Sequence, residues 1–184
     1  MIGIILVILV AVVLIYGIAA YNGFIRLRND VREAFATMDV YLKKRYDLIP
    51  NLVETVKGYA KHESETLQKV TDARASVMQA ATPSEKLKKE NFLTRSLGQL
   101  LAVAEAYPDL KASTNFNELM QQLERVEEDI ANARKFYNAV VNKFNTRCES
   151  FPSNIIAKLF HFEEEPMFET DETSRENVKV DFGV

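Results

Sequence analysis

Tryptophan is absent from this chain of 184 residues, cysteine occurs once and histidine twice. One Cys excludes an internal disulfide framework and a cysteine-built zinc site, and it agrees with a reducing compartment. Two His leave little standard equipment for acid–base or metal chemistry. With six Gly the sequence has no Gly-rich phosphate loop, and it also lacks H-E-x-x-H and any Ser or Cys nucleophile in a recognised setting. A net charge of −3 gives no electrostatic case for nucleic acid. No nucleic-acid partner, cofactor, metal ligand or catalytic residue is expected, and the chain reads as a non-enzyme.

Charge is missing altogether from Met1 to Ile25. As a helix this segment would run ~37 Å at ~1.5 Å per residue, enough to cross a hydrocarbon core of roughly 30 Å with some tilt. A cleavable signal peptide would carry a basic start and a shorter apolar run. Here the basic residues Arg26, Arg28 and Arg32 follow the span instead, which places the C-terminal side in the cytoplasm and the N-terminus outside. Tyr16 and Tyr21 stand near one end, where amphipathic rings prefer headgroups. Tyr16, Tyr21, Arg26 and Arg28 are therefore the expected membrane-interface residues. Ala19 and Gly23 form a small-xxx-small pair that permits close helix approach, a candidate association contact.

Beyond the anchor the apolar residues recur at helical spacing. Leu27, Val31, Phe35, Met38 and Leu42 form one stripe. Asp47 before Leu48-Ile49-Pro50 reads as a cap and first turn, opening a second helix striped from Leu52 to Val77. Thr82-Pro83-Ser84-Glu85 is a capping box with Pro at the first helical position. Leu93, Leu97, Leu100 and Ala104 carry that helix to Tyr107-Pro108-Asp109, which ends it. The last long stripe runs Leu119, Leu123, Val126, Ile130, Ala133, Tyr137, Val140 and Phe144, alternating spacings of four and three. Ser153 to Phe160 can add a short fifth helix. The segment from Glu163 to Val184 carries eight acidic and two basic residues and reads as a mobile tail, with a brief alternation at Val178 to Phe182.

Two clusters are weighed against plainer readings. Lys43-Lys44-Arg45 would stand ~27 Å beyond Ile25 on a straight helix, far outside a Debye length of roughly 8 Å. A solvated face or pairing with Asp39 and Asp47 is preferred to a lipid-binding patch. His62-Glu63 with Glu65 lacks the three or four convergent ligands of a metal site and reads as a polar helix face.

The run Asp47-Leu48-Ile49-Pro50-Asn51-Leu52-Val53-Glu54-Thr55-Val56-Lys57-Gly58-Tyr59-Ala60, with His62-Glu63, strongly resembles the LemA family. Ala106-Tyr107-Pro108-Asp109-Leu110-Lys111-Ala112, Ala133-Arg134 and Tyr137-Asn138 extend the likeness to about Phe162, while Phe35 stands where Trp is expected. The resemblance implies a bacterial inner-membrane protein with a short outward N-terminus and a cytoplasmic helical bundle, and it brings no enzymatic activity. Asp47, Pro50, Tyr107, Pro108 and Asp109 then look like family signatures at helix junctions. Some relatives accompany membrane zinc metalloproteases of the HtpX type.

The resulting expectation is an all-α protein: an anchor over 1–25, an antiparallel four-helix bundle over 26–162 and an acidic tail over 163–184. The expected role is a membrane-anchored scaffold that self-associates or shapes membrane, with lipid and other copies of itself as partners. The alternative is an adaptor presenting substrates to a membrane protease.

Overall fold

The computed structural model describes residues 1–168, which form helices, their connections and a segment after the last helix. The alternation at Val178 to Phe182 lies outside the described residues, as does most of the acidic tail. Helix α1 covers Ile2–Tyr59, α2 Ser64–Met78, α3 Pro83–Glu105, α4 Pro108–Lys111, α5 Thr114–Glu149 and α6 Ser153–Leu159. Described residues contain no strand.

At 58 residues α1 is about 87 Å long by its rise of ~1.5 Å per residue. Residues 2–16 of this helix are all exposed. The core begins at Ala20 and Phe24 and continues through Val31, Ala34, Met38, Leu42, Ile49, Leu52 and Val56. Helix α5 lies antiparallel along it: Phe24 meets Phe144, Phe35 meets Tyr137, and Arg45 meets Glu127. The heptad-like stripe supplies the α5 side, with Leu123, Ile130, Ala133, Tyr137, Val140 and Phe144 all buried. Helices α2 and α3 pack on one another, and α2 packs on α1.

The first correction concerns Asp47 and Pro50. No junction occurs there: both lie inside α1, which ends only at Tyr59. A Pro within a helix strands the carbonyl four residues earlier, here that of Tyr46. Arg74 of α2 relieves it, its Nε donating to the Tyr46 carbonyl at 2.7 Å. Asp47, rather than capping, pairs with Lys43 one turn earlier. The chain reverses instead at Ala60 to Glu63, after Gly58 has weakened the last turn.

Helices α3 and α4 begin at their sequence signals. Thr82 Oγ1 accepts from the Glu85 amide at 3.2 Å, and the Glu85 carboxylate accepts from the Ala81 amide at 3.0 Å. Tyr107 caps α4, with Pro108 at its first position and Asp109 in its first turn, so the three stand between α3 and α5.

The second correction concerns residues 163–168, read as the start of a mobile tail. They form an extended strap running back along α5. His161, at φ 53°, turns the chain out of α6. There the Phe162 amide reaches the Ala157 carbonyl at 2.9 Å in a Schellman arrangement. The strap is held by side chains of α5 and by burial of Phe168.

Candidate functional site

Among the described residues no three His, Cys, Asp or Glu side chains come together as a metal site would require. His62 is exposed in the turn between α1 and α2. Burial pushes the half-buried Cys148 thiol above its ordinary pKa, and Glu164, Glu149 and Glu165 push it the same way, which opposes thiolate chemistry. Three other arrangements hold the structural interest of the chain.

The first is the N-terminal part of α1. It is long and apolar enough to cross a membrane, and none of its most apolar window is buried in the protein. Tyr16 and Arg26 are exposed. Tyr21 packs on Phe160 at 4.8 Å between ring centroids, and Arg28 stands 5.4 Å over the ring of Phe162. Two of the four expected interface residues thus also tie α1 to the C-terminal segment. The small pair is divided. Ala19 is exposed, whereas Gly23 faces Arg147 of α5 so closely that an added Cβ would stand 2.4 Å from its guanidinium. Arg147 in turn lies 5.3 Å over the ring of Phe24.

The second is a buried charge network in the middle of the helical body. Arg45 and Glu90 are both fully buried and form an ion pair, and Tyr46 donates to the same carboxylate. Arg45 also reaches Glu127 at 2.9 Å and Thr94 at 3.3 Å, and Arg134 stands 3.8 Å from Glu90. Burial holds the Tyr46 phenol well above its usual pKa and the Arg134 guanidinium below its usual value. The network ties α1, α3 and α5 at one level. Lys43 and Lys44 are exposed, but Arg45 is not on a solvated face, nor does it pair with Asp39 or Asp47. It was legible only from its place between Leu42 and Ile49, and Glu90 from its place between Leu87 and Leu93.

The third is the strap. Asn145 exchanges two hydrogen bonds with the backbone of Glu165, and Asn138 exchanges two with Phe168, all between 2.9 and 3.0 Å. Each amide offers one donor and one acceptor, so it treats a strap residue as a bridge partner would. The spacing matches: seven residues of helix rise ~10.5 Å, and three extended residues span ~10 Å. Tyr137 donates to the Pro166 carbonyl at 2.8 Å, and burial, then Glu165, raises its pKa to about 12. Arg134 lies 4.5 Å over the ring of Phe168.

Known proteins resemble this chain along most of its length. The LemA family profile matches residues 34–182. A protein LemA of Metamycoplasma hominis is 27% identical over 161 residues, covering 85% of this chain and 72% of that protein. Magnetosome protein MamQ 2 of Paramagnetospirillum magneticum is 23% identical over 175 residues, covering 81% of this chain and 64% of its own length. Magnetosome protein MamQ of Magnetospirillum gryphiswaldense is 22% identical, and the chain spans 62% of it. None of these names denotes a catalytic activity. An apolar helix fit to cross a membrane, running unbroken into a helical body whose residues match over most of its length, places this chain in the LemA family.

Proposed function

We propose that this protein is a non-enzymatic, membrane-anchored scaffold whose working surfaces serve association. The N-terminus lies outside a bacterial inner membrane, and an antiparallel four-helix bundle stands in the cytoplasm. The supporting observation is the continuity of α1: one 58-residue helix is both anchor and central bundle helix. Because α5 grips it from Phe24 onward, the bundle cannot swivel freely on the anchor. Copies inserted in parallel therefore present the same faces in the same orientation, which favours a closed symmetric cluster.

The test is the native assembly size of the full chain in mild detergent, by native mass spectrometry. A homo-oligomer is expected, diminished by Ala19→Leu if that exposed anchor face forms the contact. A monomer recovered with a stoichiometric membrane protease would overturn the scaffold in favour of an adaptor.

A further inference from the structure

The tip formed by the end of α5, Phe151 and α6 leaves several large apolar side chains uncovered. Phe151 is 81% exposed, Ile155 56%, Leu159 66% and Phe160 49%. Ile155 and Leu159 stand four residues apart on α6 and so share one face, while the exposed Phe151 lies in the turn just before that helix. Large apolar residues exposed on the rest of the helical body, such as Val40, Tyr59, Phe92 and Phe136, are isolated in sequence and need no explanation.

The tip stands beside the anchor at a particular depth. A Cβ added to Gly17 would lie 4.0 Å from Ile156 Cδ1, and Tyr21 packs on Phe160. From Ile2 to Tyr21 the helix rises about 29 Å, close to the roughly 30 Å of a hydrocarbon core. Residues 17–21 therefore occupy the last ~6 Å of the span, by the helical rise. Alongside them α6 meets the boundary between acyl chains and headgroups, where interfacial helices bury an apolar face by ~5–10 Å. Lys158 is exposed on the same short helix and can lay its stem on that surface while its ammonium reaches the headgroups.

We propose that α6 and Phe151 form a second membrane contact: the tip dips into the leaflet on the bundle's side, with Phe151, Ile155 and Leu159 among the acyl chains. The occupant is the bilayer because the exposed face continues the exposed surface of the anchor at its bundle-side end. The inference rests on the reading of α1 as a membrane span. It also gives Phe160 and Phe162 a purpose, since their rings brace the tip against Tyr21 and Phe24. The anchor and the tip then hold the bundle at two points, which fixes its tilt as well as its height.

The absence of native Trp makes the test direct. Single variants Ile8→Trp, Ile155→Trp, Leu159→Trp and Met78→Trp of the full chain are placed in vesicles of phosphatidylcholine and phosphatidylglycerol with brominated acyl chains. Trp at 155 and 159 should emit to the blue of Trp at the exposed position 78 and lose fluorescence to brominated lipid, while Trp at 78 should not. Quenching at position 8 but not at 155 or 159 would overturn the second contact and leave the anchor standing. Loss of quenching at position 8 would overturn the anchor reading itself. Blue emission at 155 and 159 that is indifferent to brominated lipid, and equal in detergent, would overturn the proposal in favour of a protein covering the tip.

Discussion

Arg45 and Glu90 illustrate how a buried ion pair acts at a single position. Two charges taken fully out of water gain little net stability when paired, but either one left alone is expensive. Glu90→Leu leaves the buried Arg45 with Glu127 alone as counter-ion, beside the half-buried Arg134, and should destabilise the fold by about 3 kcal/mol. The double variant Arg45→Met, Glu90→Leu should recover most of that loss; thermal unfolding in mild detergent measures both. Arg74 and Pro50 form a second coupled pair. Arg74→Ala should cost about 1–3 kcal/mol by stranding the Tyr46 carbonyl. With Pro50→Ala a backbone amide becomes available to the same carbonyl, so Arg74→Ala should then cost clearly less. Strict additivity in that double-mutant cycle would reject the assignment. Apolar spacing cannot reveal such partners, because Arg74 and Tyr46 meet only after the chain reverses at Ala60 to Glu63.

On the scale of elements, α5 serves two surfaces at once. Its apolar stripe packs on α1, and Asn138, Asn145 and Tyr137 hold the strap. The stripe was legible because a period near 3.5 survives over 26 residues, from Leu119 to Phe144. Acidic composition pointed the other way for residues 163–168, since it counts charges and overlooks two Asn placed to clamp a backbone. Asn138→Ala with Asn145→Ala should release the strap, read as faster amide exchange at Glu165 and Phe168 with the helices unchanged. The strap also has a pH limit. The folded pKa of Tyr137 lies above its ordinary value of 10.0, so its contribution is complete below pH 10. It is then lost as pH rises through about 12. The stability advantage of wild type over Tyr137→Phe should therefore shrink across that window in pH-dependent thermal unfolding. A constant difference would show that the phenol does not titrate with the strap.

For the molecule as a whole, packing on α1 begins before its uncharged run ends. Uncharged sequence runs to Ile25, yet Ala20 and Phe24 are already core, and Phe24 stacks on Phe162 at 4.8 Å. A soluble fragment starting at Ala20 should be folded and largely helical. One starting at Arg26 loses the buried Phe24 ring and should be less stable by at least the ~3–5 kcal/mol typical of Phe→Ala. Equal unfolding temperatures would place Phe24 outside the core. Within the fragment that starts at Ala20, Ile130→Asp should unfold the body, because it sets an unpaired charge at a position 1% exposed. A near-native unfolding temperature would reject that packing.

Periodicity and charge by themselves determined the helical class, the apolar span, the α5 stripe and the start of α3 at its capping box. Each is a local signal: a face of side chains, a run without charge, or a hydroxyl three residues before an amide. The identity of the LemA family was also legible, because a run such as Asp47 to Ala60 is far more specific than any short motif. Tertiary structure alone decided that α1 passes through Pro50, that Arg45 leaves solvent for Glu90 and Glu127, and that the acidic segment begins as a strap. In each case the deciding partner is distant in sequence: Arg74 stands 28 residues from Tyr46, Glu90 45 from Arg45, and Asn138 30 from Phe168. A carbonyl stranded by proline, a buried guanidinium and an extended backbone each need a hydrogen-bond partner, and only the folded chain brings one to them.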